Sequence, residues 1–92
     1  MEINPSPDVF LPLNNLSTIT ESAQQQQVLQ IVYADSKGEQ SVRSVEPYEI
    51  KDGKLFAYCL NKQSIRAFRL DRILFAEITS NHYEPRFPIK LG

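Results

Sequence analysis

The stretch "VEPYEIKDGKLFAYCL" (residues 45–60) decides the fold, because two apolar runs in it flank a tight turn signal. Asp52-Gly53 is a dipeptide typical of a two-residue hairpin. Pro47 cannot donate a hydrogen bond to a strand ladder, so we expect the preceding strand to bend or end near it. The segment predicts a hairpin made of strands 39–50 and 54–60.

Three more strand patterns surround this hairpin. "VLQIVYA" (28–34) is rich in β-branched and aromatic residues and is followed by the glycine-closed turn "DSKG". After the hairpin come "IRAFRL" (65–70) and "LFAEIT" (74–79), and the proline-containing tail from residue 80 should be coil or an edge segment. Five short strands joined by brief turns predict a mainly β fold, a small meandering barrel.

The region before the strands predicts an arm and one short helix. Residues 1–16 hold three of the six prolines, so we expect an extended N-terminal arm whose apolar residues lie on the domain or on a partner. Thr18 and Glu21 have the spacing of a capping box, which predicts a short α-helix from about Ile19 to Gln26. The chain is therefore expected to be an arm (1–16) followed by a single barrel domain (17–92).

Composition excludes several classes of protein. The net charge of −1 speaks against strong nonspecific nucleic-acid binding, but the charges are uneven: residues 1–36 carry four acidic and no basic side chains, whereas residues 37–72 carry eight basic and five acidic ones. This pattern is either a local basic patch or an ordinary uneven solvated surface. No apolar run of 18 residues predicts a membrane span, and no signal-peptide pattern begins the sequence. The single cysteine, Cys59, fits a reducing compartment, so we expect a cytoplasmic protein.

Residues for catalysis or metal binding are scarce. The sequence has one histidine, His82, and one cysteine, Cys59, which lies in an apolar strand pattern and is expected to be a buried structural residue. The three glycines are isolated, so no phosphate-binding loop is indicated. We expect neither an enzyme nor a bound metal or cofactor.

Arginines accumulate in "IRAFRLDRI" (residues 65–73). In a strand, Arg66 and Arg72 would share a face with Phe68 and Leu70, while Arg69 would point the other way. Neither face is cleanly apolar, so we expect a bulge or a bend near Asp71, which would pair with one of the arginines. Arginine suits planar two-point contacts with carboxylates and phosphates.

Together, "IVYADSKGEQSVRSVEPYEI", "DGKLFAYC" and "IRAFRLDRI" resemble a WYL domain over roughly residues 19–80. The resemblance implies an Sm-like, SH3-type five-stranded barrel that serves as a sensor or effector domain in bacterial and phage regulators. Most members of that family carry an N-terminal helix-turn-helix, for which the residues before the match are too few. We therefore expect a stand-alone domain. The starting Met and compact length favour a complete small protein, and an inert fragment of a larger regulator is the alternative.

The resemblance also implies a site. Its members are thought to bind nucleic acid or a nucleotide-like ligand through the barrel, and carried over position by position the candidates are Tyr33, Arg43, Tyr58, Arg66, Arg69 and Arg72. The tyrosines would stack on bases and the arginines would hold phosphates. Several have a structural alternative: Tyr33 and Tyr58 as core aromatics, and Arg43 in a cross-strand pair with an acid such as Glu39 or Glu46. Arg72 with Asp71 would be a structural hinge between the fourth and fifth strands. Arg66 is the strongest candidate for ligand contact.

Two functions remain open from the sequence. The first is a regulatory module that binds single-stranded nucleic acid or a nucleotide, or that modulates a separate protein regulator. The second is a protein-interaction or homodimerisation module in which the apolar arm adds to a sheet edge of a neighbouring chain.

Overall fold

The computed structural model describes the backbone of residues 7–91 and the side chains of residues 15–91. The fold is mainly β, as predicted, with all five expected strands present after one helix. The elements are α1 (Pro7–Gln25), β1 (Gln27–Ala34), β2 (Gln40–Lys51), β3 (Lys54–Cys59), β4 (Ser64–Arg69), a single 3-10 turn (Leu70–Arg72) and β5 (Ile73–His82).

The strands form one antiparallel sheet in the order β4-β3-β2-β1-β5. Strands β4 and β5 follow one another in the chain but lie at opposite ends of the sheet, because the turn Leu70–Arg72 redirects the chain so that β5 pairs with β1. Within the described residues β4 and β5 do not pair. The sheet is therefore not closed into the barrel that the strand pattern predicted.

Strand pairing fixes which side chains share a face, because residues directly opposite each other point the same way. The inner face carries the main core, in which Leu29, Ile31 and Val45 are fully buried together with Ile19 of the helix. The outer face carries a second, smaller cluster around Val28, Tyr48 and Tyr83. The residues from Tyr83 to Leu91 form no helix or strand, which agrees with the coil expected for the tail.

Helix α1 begins at Pro7, well before the predicted start. Residues 7–16, expected to be extended, are helical, while residues 1–6 of the predicted arm lie outside the described residues. Thr18 is in the helix interior, so the capping-box prediction is wrong. Proline is tolerated at the first helical position, where its missing N–H is not needed, and an interior proline removes one backbone bond. Prolines in residues 7–16 therefore did not prevent a helix. The predicted apolar face of α1 is confirmed, because Ile19 and Ala23 are buried.

The turns follow the predicted chemistry. Asp52 and Gly53 both have positive φ angles, 55° and 74°, as a two-residue hairpin of type I′ requires. Strand β2 runs through Pro47, but its register with β3 shifts between Pro47 and Glu49. This β-bulge is the irregularity expected near Pro47, and it leaves Tyr48 between the paired positions.

Candidate ligand-binding surface

Two of the predicted arginines lie on the inner face, on strands that flank β3. Arg43 of β2 is opposite Ile31, and Arg66 of β4 is opposite Ala57. Because β2 and β4 are two strand spacings apart, their backbones are separated by about 10 Å. The inner face therefore presents two cations across a strand whose facing residues, Ala57 and Cys59, are fully buried.

Each of these arginines is held by a serine two residues before it. The Arg43 Nε–H donates to Ser41 Oγ at 3.1 Å, and the Arg66 Nε–H donates to Ser64 Oγ at 3.4 Å. In a strand, residues two apart share a face, so the pattern Ser-x-Arg sets the hydroxyl beside the guanidinium. We call Ser41, Arg43, Ser64 and Arg66 the Ser-Arg surface.

Neither arginine of the Ser-Arg surface is neutralised. Among residues 15–91, no carboxylate lies within 4.0 Å of Arg43 or Arg66. The alternative pairing of Arg43 with Glu46 is not found, because Glu46 is bound by Arg86 instead. Arg43 is half-buried and reaches toward Cys59, with 4.0 Å between Nη1 and Sγ, whereas Arg66 is exposed. Unpaired guanidiniums beside hydroxyl donors are suited to binding phosphate or carboxylate groups.

Tyr33 also lies on the inner face, but it packs against the main core. Its hydroxyl accepts a hydrogen bond from the backbone N–H of Arg69 at 3.0 Å, and its ring meets Phe68 edge to face with 5.1 Å between centroids. This geometry fits the core-aromatic alternative, with the hydroxyl at the rim.

The two remaining arginines are at the end of β4, away from the Ser-Arg surface. Arg69 is opposite Lys54 and makes a two-point ion pair with Asp71, with contacts of 3.1 and 2.7 Å. The hydrogen bond from Arg69 lowers the pKa of Asp71 below its ordinary value. Arg72 is half-buried in the turn Leu70–Arg72. The predicted bend near Asp71 is therefore this 3-10 turn.

Tyr58 points to the outer face, since it is opposite Ile65 and Glu46 and packs with the outer cluster. The guanidinium of Arg86 covers its ring at 3.9 Å from the centroid. The six predicted residues thus do not form one cluster: Arg43, Arg66 and Tyr33 share the inner face, and the other three lie elsewhere.

Three of the interacting residues were missed from the sequence. Ser41 and Ser64 carry a signal that was present, the repeated pattern "SVR" (41–43) and "SIR" (64–66). Arg86 carries no such signal, because its partner Glu46 is forty residues away in the chain. Only the folded topology brings these two together.

The described residues contain no other obvious chemistry. The side chains of residues 15–91 include no group of three or more metal-ligating residues. No helix in the described part of the chain is both long and apolar enough to span a membrane. Cys59 is buried, as expected for a structural residue.

Comparisons with known proteins identify the domain type. The family model described as "WYL domain" matches residues 14–78. Among solved structures, proteasome accessory factor B/C (PafBC) of Arthrobacter aurescens matches with a TM-score of 0.70 and 23% sequence identity. That match covers 96% of this chain but 15% of the PafBC chain, so it shows a shared fold with a small part of a longer protein. No curated protein was found to match the sequence.

Proposed function

Since the chain belongs to the WYL domain family, we propose that it is a non-catalytic, cytoplasmic regulatory domain that binds nucleic acid or a nucleotide-like anion through its Ser-Arg surface. The observation that carries this proposal is the arrangement of Arg43 and Arg66. Both are on one face, both are oriented by a serine, and neither has a carboxylate within 4.0 Å among residues 15–91. Arg69 and Arg86, by contrast, are each paired with a carboxylate.

The ligand class follows from the chemistry of the surface. Two guanidiniums on one face of the sheet, on strands that are two spacings apart, suit an extended chain of phosphates or a ligand with two anionic groups. Binding of this kind is dominated by phosphate contacts, and counterions are released when it forms. We therefore propose single-stranded nucleic acid as the primary ligand, and a nucleotide as a competitor for the same two arginines. In a larger assembly, occupation of this surface would be the signal passed to a regulator.

The test is anisotropy of a labelled 12-nucleotide single-stranded DNA at two salt concentrations. We expect the double variant Arg43→Ala/Arg66→Ala to bind more weakly at low salt. Its plot of log affinity against log salt should be shallower by about 1.4, since each phosphate contact to a single strand contributes a slope of about −0.7.

The matched control is Arg69→Ala/Arg72→Ala, which removes the same charge from the end of β4. We expect it to bind nearly as well as the wild type. An equal loss of DNA affinity in both double variants would contradict the assignment of binding to the Ser-Arg surface. If neither the DNA nor a nucleoside triphosphate binds at low salt, the proposal as a whole is wrong.

A second candidate function, homo-oligomerisation, is favoured by an apolar strip on the outer face. Val32 is opposite both Val42 and Phe75 on neighbouring strands, and these two are 56% and 52% exposed. Strand β5, which carries Phe75, is an edge of the sheet. Light scattering from micromolar to millimolar concentration tests this candidate. A monomer throughout, unchanged by Phe75→Ser, would exclude it.

A further inference from the structure

The chain from Tyr83 to Leu91, here called the strap, is bound across the outer face of its own sheet. The bulge in β2 frees Tyr48 from the strand ladder, so that its carbonyl accepts a hydrogen bond from the Lys90 N–H at 2.7 Å. The Tyr48 hydroxyl accepts another from the Arg86 N–H at 2.9 Å. The Tyr83 hydroxyl donates to the carbonyl of Pro47 at 2.9 Å. The strap is thus held by hydrogen bonds centred on the bulge.

One side chain of the strap, Arg86, contacts both a buried carboxylate and an aromatic ring. Its Nε–H and Nη2–H donate to the two carboxylate oxygens of Glu46 at 2.9 and 3.4 Å. The Glu46 side chain is only 4% exposed, and it also accepts a hydrogen bond from the Tyr48 hydroxyl. The guanidinium lies over the ring of Tyr58 at 3.9 Å. Arginine can donate two parallel hydrogen bonds and stack on an aromatic ring at the same time, whereas lysine cannot.

The neighbours of Arg86 add apolar contacts of a kind found in peptide recognition. Phe87 meets the ring of Tyr48 edge to face with 5.4 Å between centroids, and Ile89 packs on the outer cluster. Pro85 and Pro88 flank the dipeptide Arg86-Phe87. Prolines reduce the number of conformations that must be ordered on binding. The strap therefore contributes an arginine anchor, an adjacent aromatic residue and an apolar residue.

The site is larger than the strap that occupies it. A groove of about 570 Å³ adjoins Arg86 and Glu46. The strap residue Tyr83 forms part of its wall, and the strands supply polar side chains such as Gln30 and Thr79. The anchor itself is partly accessible, since the side chain of Arg86 is 46% exposed. A longer segment with the same anchor would bind the carboxylate of Glu46 and, once the strap has left, contact the strand side chains of this groove.

We propose that Glu46, Tyr48 and Tyr58 form a peptide-recognition site for an arginine followed by an aromatic residue between prolines. The strap fills the site in cis, and a partner protein that presents a segment of the same chemistry displaces it. The outer face would then bind a protein while the inner face is free for an anion. The proposal does not depend on the Ser-Arg surface.

The experiment uses the full chain with the strap weakened. Arg86→Ala/Phe87→Ala removes both anchors, and the probe is a fluorescein-labelled peptide, YEPRFPIKL, which copies residues 83–91. We expect the opened variant to bind this peptide at least tenfold more tightly than the wild type, in which the strap competes at high effective concentration. A peptide with lysine in place of arginine should bind the opened variant at least tenfold more weakly.

Several outcomes would overturn the proposal. A folded opened variant that does not bind the peptide would show that the strap is only a structural element, and equal binding of the lysine peptide would exclude an arginine-specific site. If the double variant does not fold, Arg86→Lys replaces it, because it keeps the charge and loses the fork. Wild-type protein that never binds the peptide, even at millimolar concentration, would exclude displacement by a partner. Dimers formed by exchange of straps, seen by light scattering, would assign the site to a second copy instead.

Discussion

The guanidinium of Arg86 lies 3.9 Å from the centre of the Tyr58 ring, in the position where a stacked ligand would lie. Tyr58 is one of the residues that the family resemblance proposes for stacking on a base. In this chain the stacking partner is an arginine from the strap, fixed by the buried carboxylate of Glu46. The two faces of the sheet thus differ in their use of arginine. Arg43 and Arg66 on the inner face have no carboxylate partner among the described side chains, whereas Arg86 on the outer face is paired and stacked.

Replacing Arg86 by alanine should lower the thermal midpoint of unfolding. The carboxylate of Glu46 would stay buried without its cation, and an uncompensated buried charge is strongly unfavourable. Glu46→Gln in the same chain removes that charge, so the double variant should be more stable than the sum of the two single effects predicts. Differential scanning calorimetry of the four proteins in this cycle measures the coupling. Strict additivity would show that the pair does not stabilise the fold.

Stability should fall at alkaline pH because of Tyr48. Burial is the largest cause that raises the pKa of Tyr48 from 10.0 to about 12 in the folded protein. The unfolded chain therefore loses this proton near pH 10, while the folded chain keeps it. The stabilisation is complete below pH 10 and is lost as pH rises through 12. Urea unfolding at intervals from pH 9 to 12 measures the decline in the free energy of unfolding.

Tyr48→Phe is the matched variant for this pH dependence, since it removes the titrating group and keeps the ring. We expect a shallower decline above pH 10. Some decline should remain, because burial also raises the pKa of Tyr83. An unchanged slope in Tyr48→Phe would contradict the prediction.

The two faces of β1 and β2 should differ sharply in sensitivity to truncation. Ile31 is fully buried in the main core, and Ile31→Ala should cost about 2–5 kcal/mol through lost transfer energy and the cavity left behind. Val42 on the outer face is 56% exposed, and Val42→Ala should change the free energy of unfolding by no more than about 0.5 kcal/mol. Chemical denaturation compares the two. Similar effects would contradict the assignment of a buried and an exposed face.

Much of the fold was predictable because its signals are local. The hairpin at Asp52-Gly53 and the bulge near Pro47 follow from backbone rules that operate over two or three residues. The five strands follow from runs of β-branched and aromatic residues. The start of the helix at Pro7 was missed, since a count of prolines does not distinguish a first helical position from an interior one. Closure of the sheet was also mispredicted, because β5 pairs with β1, which is distant in the chain, and not with its sequence neighbour β4.

The candidate site was predictable only in part. The two Ser-x-Arg patterns are visible in the sequence, and strand alternation alone places each serine beside its arginine. That both patterns face the same way depends on the register of β2 and β4 with β3, which the sequence does not specify. The pairing of Glu46 with Arg86 depends on the path of the strap over the outer face. Contacts of this kind require the folded chain.

The docking of the helix should depend on a polar contact at its buried face. Asn15 is buried, and its Nδ2–H donates to the backbone carbonyl of Ile73 at 3.0 Å, where β5 begins. Asn15→Ala would leave that buried carbonyl without its partner, at a cost of about 1–3 kcal/mol. Ser17→Ala is the control on the exposed side of the same helix, where alanine is the better helix former and little change is expected.

Hydrogen exchange separates a local effect of Asn15 from a global one. If the contact docks the helix, amides of α1 in Asn15→Ala should exchange faster than those of β1 and β2, because the helix opens while the sheet stays folded. A uniform increase across the sheet would show instead that helix and sheet unfold together. Protection equal to that of the wild type would mean that the carbonyl of Ile73 finds another donor, and the contact would then have no role in holding the helix.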